Sequence, residues 1–527
     1  MLQQAEYLNQ FTISFNKATG EEIGSTQIDS IEDFKIIIEK ARSAQKQWEL
    51  VPVSKRAAII KKLSYIICER CDELAKTISE DNGKTRVDAI ITEILPTAMS
   101  ASYYAKKAKK FLKTRYLKPG SVLLANKISR IKRVPFGVLG IISPWNYPFA
   151  IPFSELVMGL LAGNAVILKT AAETQMVGKI LKEIFEESGL PENVFNYVNM
   201  PGKVAGDAFL ENGIDKLFFT GSVPVGKYLM GKAAETLTPV SLELGGNDAA
   251  LVCPDSDIKR TVDGIIWAGF QNAGQSCGGV ERVYVHEDIY DAFLEELKIK
   301  IERLRIGCDE DFNVDIGVMT TERQVATVKR HIDEALEKGA IVFAKAQCAD
   351  ENKWKNIFCP CVLTNVNHEM LVMKEESFGP VIGVMKVKDM DEAISYANDS
   401  NLGLSSSVWS SNRKKAIKIA SKIKAGAVTI NDHLMSHGLA ETPWGGFKES
   451  GIGRTHGEIG FAEMTEPQVI VNDIMPFVKR DMWWHPHNKK VYNGIKGILE
   501  LLYGKGIRKR ILGLYKMILL FPRTFIR

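Results

Sequence analysis

The sequence predicts an α/β fold of at least two lobes, and three observations carry that prediction. At 527 residues the chain exceeds what one hydrophobic core usually holds. From Gly137 onward, short apolar runs at Val138–Ile142, Ala165–Leu168, Val194–Val198 and Lys216–Phe219 alternate with helical stretches, the pattern of βαβ units in a parallel sheet. Polar or glycine-bearing loops follow these runs, at the strand ends where open α/β sheets bind ligands. With 45% hydrophobic and 25% charged residues the composition is that of a soluble globular protein rather than a disordered or polytopic one.

The elements follow in order. The first ten residues lack a basic segment leading into an apolar run, so no signal peptide is expected and the cytoplasm is the default. Phe11 to Ile28 reads as a hairpin turning over Asn16–Gly20. Ser30-x-x-Asp33 is a capping box opening a helix to about Trp48. A second helix spans Ser54 to Glu80 and stops at Asn82-Gly83, and a third spans Arg86 to Lys110. These helices are expected to cover a sheet face and to carry no catalytic group. Cys68 and Cys71 form a C-x-x-C inside the second helix with no second pair nearby, so they are read as buried thiols, as are Cys359 and Cys361 in a strand-like run. Eight scattered cysteines give no disulfide scaffold, and eight histidines show no metal-ligand spacing, so no metal is expected. Residues 121–134 are basic and β-rich; they suit either a surface hairpin or a strand edge that pairs subunits.

The loops carry the chemistry. Asn146, in Ser143-Pro-Trp145-Asn146-Tyr147-Pro148-Phe149, offers an amide donor beyond a strand end, with an Asx turn as the plainer reading. Lys169 ends the next strand, where a solvated lysine is the plain alternative. Thr220-Gly221-Ser222-Val223-Pro224-Val225-Gly226-Lys227 opens a helix whose first amides suit a phosphate. Tyr228 replaces the magnesium-binding hydroxyl of a P-loop, and kinase or ATPase chemistry is discounted. Ser241-Leu-Glu243-Leu-Gly245-Gly246-Asn247 presents a carboxylate at a strand mouth. Helix 256–272 leads to Cys277, set among Gly274, Gly278 and Gly279, where little bulk keeps a substrate away. A thiol with a carboxylate to accept a proton is a nucleophile–base pair.

Together, Pro144-Trp145-Asn146-x-Pro148, Phe219-Thr220-Gly221-Ser222, Leu242-Glu243-Leu244-Gly245-Gly246-Asn247, Gly274-Gln275-x-Cys277, Glu376-x-Phe378-Gly379-Pro380 and Gly445-Gly446-x-Lys448-x-Ser450-Gly451 resemble the aldehyde dehydrogenase superfamily, in its order and spacing, over roughly residues 10–475. The resemblance implies a Rossmann-type dinucleotide-binding lobe (1–117 and 136–244), an α/β catalytic lobe (245–462) and a β-ribbon (118–135 with 463–475) that joins subunits into a homodimer or homotetramer. It implies that Cys277 attacks an aldehyde, that Asn146 and the Cys277 amide hold the oxyanion, and that Glu243 activates water on the thioester. The glutamate favours a free acid product, because CoA-acylating relatives generally lack it. Trp145, Lys169, Gly221, Ser222, Gly245, Glu376 and Phe378 fall at cofactor-binding positions for NAD or NADP. There is one departure: Lys169-Thr170-Ala171-Ala172 lacks the acid that grips the adenosine ribose in NAD-preferring relatives unless Glu173 substitutes, so acceptance of NADP is expected.

Residues 476–527 lie beyond the resemblance and carry 12 Lys or Arg against 2 Asp or Glu, on a chain whose net charge is only +5. The Ile511–Phe521 apolar stretch contains Lys516 and is too short to span a bilayer. Basic residues flanking Leu, Phe and Trp suit a helix lying in an anionic interface. The expectation is peripheral membrane attachment, with a solvated or self-docked tail as the alternative and no nucleic-acid binding. An apolar medium- or long-chain aldehyde is the expected substrate. The alternatives are a small polar semialdehyde or amino-aldehyde, and a catalytically silent dinucleotide-binding protein.

Overall fold

The computed structural model describes residues 10–348 and 353–526, so most of the N-terminal stretch read for a leader lies outside the described residues. Two compact units emerge: one runs to Leu112 and resumes over Val134–Glu466, and the other takes Lys113–Arg133 and the chain from Pro467 onward.

Two sheets organise the first unit. One has six strands in the order Gly451–Ile452, Val240–Glu243, Lys216–Thr220, Val138–Ile142, Ala165–Lys169, Phe195–Val198. All neighbours are parallel except Gly451–Ile452, which runs antiparallel to the Glu243 strand. Every residue of Val138–Ile142 and Ala165–Lys169 is buried, which is why these strands read as unbroken apolar runs rather than alternating ones. The other sheet has seven strands, ordered Ile341–Lys345, Cys361–Thr364, Val381–Val387, Val280–His286, Asp248–Val252, Ser405–Trp409, Ala427–Ile430. The hairpin Phe11–Phe15/Glu22–Gln27 forms as expected, and Ser30 and Asp33 complete the capping box of helix Ile31–Trp48.

Three expectations need correction. The second helix is broken at Arg70 into Val53–Glu69 and Cys71–Asn82. The Arg70 guanidinium turns to Glu73 and Glu183, at 2.7 and 2.9 Å. The break leaves Cys68 exposed and Cys71 half-buried rather than packed in a core. The third helix contains a π-helical turn, Ile90–Ile94, between Arg86–Ala89 and Leu95–Phe111. Pro96 has no N–H to offer the Thr92 carbonyl, so an α ladder cannot close there. Finally, Cys359 is not a free thiol but is bonded to Cys348, whereas Cys361 is free and buried.

The second unit holds a three-stranded sheet in the order Thr465–Asp473, Lys127–Pro135, Arg115–Leu117, the last two strands antiparallel. The sheet thus starts at Arg115, ahead of the expected residue 118, and within the expected 118–135 span Val122–Leu124 is a 3₁₀ turn before the long strand Lys127–Pro135. Two tail helices follow, Lys489–Tyr503, capped by Asn488, and Ile507–Leu520. Among the described residues no helix is long and apolar enough to cross a membrane.

Candidate active site

Cys277 is delivered by a strained turn. Helix Ile258–Phe270 ends in Gln271–Gly274, where Asn272, Ala273 and Gly274 have successive φ values of 51, 52 and 70°. Left-handed non-glycine residues cost on the order of 1–3 kcal/mol each, and they persist only where surroundings impose them. Here Asp88 accepts the Asn272 N–H at 3.0 Å, and the Gln275 side chain donates to the Asn272 carbonyl at 3.0 Å while accepting the Thr320 N–H at 2.9 Å. The glycines serve two ends. A Cβ on Gly274 would lie 2.3 Å from the Gly379 carbonyl, so this residue permits two backbones to meet; Gly278 does line the substrate-sized cavity, against Trp444.

Asn146 makes no Asx turn. Its Nδ2 reaches the Gln275 carbonyl at 3.1 Å, and its Oδ1 is buried without a partner. The second Nδ2 hydrogen remains to be donated. The loop around it is pinned from behind: the Asn146 carbonyl accepts from Lys84 Nζ at 2.9 Å and Asn272 Nδ2 at 2.8 Å, and Asn82 holds the Trp145 carbonyl at 2.8 Å. Lys84 is fully buried and pairs with Glu93 at 2.6 Å. The other Glu93 oxygen accepts the Phe149 and Ala150 N–H groups at 2.7 and 3.1 Å. Burial pulls the Lys84 ammonium below its usual pKa, and Glu93 opposes that fall.

Glu243 ends the Val240–Glu243 strand, in register with Thr220. Its carboxylate is buried, Oε2 has no hydrogen-bond partner, and Oε1 lies 2.8 Å from where a Cβ on Gly445 would sit. Burial raises its pKa well above the usual carboxylate range; Glu155 adds to this and Arg454 opposes it. Gly246 brings the two motifs together, since a Cβ there would lie 2.1 Å from the Cys277 carbonyl. Burial also raises the Cys277 thiol, with added pressure from Glu376, Asp248 and Glu243.

Two cavities meet at Cys277. One, of about 240 Å³, is lined by Trp145, Asn146, Gly221, Ser222, Gly245, Glu376 and Phe378. Ser222 is the N-cap of helix Val223–Thr236 but makes no side-chain cap bond, so its hydroxyl and the first-turn amides remain for an anion. A Cβ on Gly245 would fall 2.3 Å from Glu376 Oε2, so a side chain there would displace the Glu376 carboxylate. Glu376 accepts the Gly246 N–H at 3.0 Å, and its pKa is raised to about 8, chiefly by burial and secondarily by Glu281. Phe378, at φ 51°, stands edge-on to Trp145 with ring centroids 5.4 Å apart. This cavity fits a dinucleotide by its donors and by its freedom from Cβ bulk. Lys169 does not line it; it is buried at the end of Ala165–Lys169, its pKa lowered by burial and partly restored by Glu173.

The other cavity, of about 220 Å³, runs from Cys277 between Ile91, Leu95 and Met99 on one side and Trp267, Leu439 and Trp444 on the other. The helical residues were expected only to cover a sheet. Their four-residue spacing gives an apolar stripe, but periodicity alone does not separate a core stripe from a cavity wall. Tyr147 lines this cavity and is bonded to the Gln271 side chain at 2.5 Å. Among the described residues no Lys, Arg, Asp or Glu lines it. Its one imidazole, His437, has its pKa pushed down to about 4 by burial and is neutral at pH 7.

A sequence model of the aldehyde dehydrogenase family matches residues 5–470. A 4,4'-diapolycopene aldehyde oxidase from a Methylomonas species is 37% identical over 466 residues, covering 88% of this chain and 86% of that relative. A Mycolicibacterium smegmatis protein, whose name proposes an NADP+ succinate-semialdehyde dehydrogenase, is 35% identical over 456 residues, 86% of this chain and 87% of its own. The NAD+ complex of an aldehyde dehydrogenase from Bacillus cereus superposes with a TM-score of 0.83 at 31% identity, covering 89% of this chain and 94% of the other.

Proposed function

The chain belongs to the aldehyde dehydrogenase family, whose enzymes use NAD or NADP, and from that premise we propose that it oxidises apolar medium- or long-chain aldehydes to carboxylic acids. The observation that carries this reading is the position of Cys277, where an apolar cavity meets a cavity with donors for a dinucleotide.

In this reading Cys277 loses its thiol proton to solvent water as Sγ bonds to the aldehyde carbon, and the oxygen that gains charge is met by Asn146 Nδ2 and the Cys277 amide. One such donor is worth roughly 10²–10³ in rate. Trp145, Gly221, Ser222, Gly245, Glu376 and Phe378 would hold NAD(P)+, with Lys169 toward the adenosine end, and the group when bound would supply the hydride acceptor. The carbon is left as a thioester on Cys277. Glu243 removes a proton from water, whose oxygen bonds to the thioester carbon as the C–S bond breaks, releasing acid and thiol.

The uncharged cavity supports the substrate class. The carboxylate of a dicarboxylic semialdehyde would be buried there without a cation, which costs several kcal/mol, whereas each methylene buried contributes about 0.8 kcal/mol. The name of the Methylomonas relative agrees with an apolar substrate. kcat/KM is expected to rise about fourfold per methylene while the cavity fills, with succinic semialdehyde at least about a hundredfold poorer than the best alkanal. Steady-state rates on an aldehyde series check this, and equal rates on succinic semialdehyde and decanal refute it.

NADP is expected to serve beside NAD. Ala172 offers no carboxylate to the adenosine ribose, and Glu173, one residue on, is engaged in the fields of Lys169 and Lys17. The kcat/KM values for the two cofactors are expected within about a hundredfold, or about 2.7 kcal/mol. A larger preference for NAD means that Glu173 has taken over the missing role.

The tail is read as a peripheral membrane attachment. Its cationic excess and the exposed Trp484, Ile511, Tyr515 and Ile518 support that reading. The full-length protein is expected in the membrane fraction and a 1–475 truncation in the soluble one; equal partitioning removes the attachment. The edges of the three-stranded sheet, Thr465–Asp473 and Arg115–Leu117, suit homodimer or homotetramer formation, which light scattering of the eluted protein measures.

A further inference from the structure

The two tail helices meet through glycine. A Cβ on Gly494 would lie 2.7 Å from Leu520 Cβ, one on Gly497 2.7 Å from the Gly513 carbonyl oxygen, and one on Gly513 2.5 Å from the Gly497 carbonyl oxygen. Such close backbone approach leaves little room for apolar side chains in the seam, and it is how helices pack when their surroundings are themselves apolar. The large residues turn outward instead: Ile511, Tyr515 and Ile518 are more than half exposed.

Beside this seam the C-terminal unit holds a cavity of about 490 Å³, walled by Leu123, Phe477, Trp483, Leu501, Met517 and Phe521 among others. That volume is within the range of about 300–1,000 Å³ typical of small-molecule sites. Its polar lining is Asn126, Asp481 and Thr524, and Asp481 is already paired with Lys127 at 3.2 Å. Nothing inside calls for a polar ligand. The flanking positions are cationic: Lys479 and Arg480 interrupt the wall segment between Val478 and Asp481, and Arg523 adjoins Thr524. Arg523 Nη2 donates to the Trp484 carbonyl, while its Nε is buried with no protein acceptor. An apolar interior beside three cationic side chains, one with a buried Nε that has no acceptor among the described residues, matches a chain with an anionic head.

Building on the membrane reading above, we propose that this cavity receives one acyl chain of an anionic phospholipid from the bilayer on which the tail rests, with Arg523, Lys479 and Arg480 facing its headgroup. The test uses the full-length protein and vesicles of phosphatidylcholine with about a third phosphatidylglycerol, plus a trace of phosphatidylglycerol bearing a mid-chain diazirine. After photolysis, cross-links are expected on Phe477, Trp483, Leu501 or Met517. They should fall about tenfold in Ala125→Trp, which fills the mouth, while co-sedimentation is unchanged.

Cross-links confined to Ile511, Tyr515 and Ile518, with co-sedimentation intact, overturn the acyl-chain site and leave the membrane reading standing. Equal cavity labelling by a phosphatidylcholine analogue overturns the anionic head. No co-sedimentation with these vesicles removes the membrane reading and this inference together. A tail covered by a second copy of the chain would show as no cavity cross-links and a particle mass that falls on Ile511→Lys, and that result also overturns it.

Discussion

Cys277→Ala is expected to lower aldehyde oxidation by on the order of 10⁴–10⁶, the loss seen when a hydrolase forfeits its nucleophile, without loss of cofactor binding. The prediction is large because no second thiol can take over. Among the described residues the other free thiols, Cys68, Cys71, Cys253, Cys308 and Cys361, line neither cavity that meets at Cys277. The substitution also removes little else. The strained turn is held by Asn272, Gln275, Asp88 and Thr320 and makes no use of the sulfur. Alanine also relieves the burial that raises the thiol's pKa without adding a charge. The variant should therefore melt near the parent and bind NAD(P)H with unchanged affinity, measured by fluorescence. Turnover within tenfold of the parent would mean that the sulfur is a bystander and that the aldehyde is attacked directly by water.

The parts of the site that were legible in the sequence are those carried by short local strings. Trp145-Asn146, Thr220-Gly221-Ser222, Glu243 to Gly246 and Gln275 to Cys277 each sit in one loop, and the structure gathers them because each loop leaves a buried strand or helix end. The buried strands were legible for a related reason: parallel strands covered on both faces leave continuous apolar runs. The scaffold behind Asn146 left no such trace. Lys84 reaches Asn146 across 62 positions and Asn82 reaches Thr320 across 238, and single Lys, Glu and Asn residues in or beside helices look like solvated positions until partners are known. Ile91, Leu95 and Met99 were visible as a stripe but not as a cavity wall. At the break, Arg70 pairs with Glu183, more than a hundred residues away, as well as with Glu73 nearby. In the tail, Gly494, Gly497 and Gly513 are poor helix formers by propensity, and the close helix seam that calls for them is a tertiary fact.

Glu243→Gln is expected to separate the two halves of the reaction. If Glu243 acts only on water, the variant should release one equivalent of NAD(P)H per subunit in a burst at near-parental rate. It should then turn over about 10²–10⁴-fold more slowly, the contribution of a positioned general base. Intact mass should show the acyl group on Cys277, and added hydroxylamine should discharge it. Loss of the burst as well would place Glu243 earlier, as the base that ionises the thiol. The pH dependence follows from the same burial. The basic form is the active one, so deacylation in the parent should rise with pH through a pKa well above the usual carboxylate range, a rise that the glutamine variant lacks. Stability should move the other way. A carboxyl whose pKa is raised on folding binds its proton more tightly in the native state, so its contribution is greatest below the unfolded pKa, about 4.3, and declines as pH rises toward the folded value. Glutamine carries no charge to bury, and Glu243 Oε2 has no hydrogen-bond donor to lose. The variant should therefore melt higher than the parent at pH 8 and much closer to it at pH 4. A slower enzyme that is more stable only at the higher pH would be hard to obtain from damage to the fold, and it locates the lost function in one buried charge.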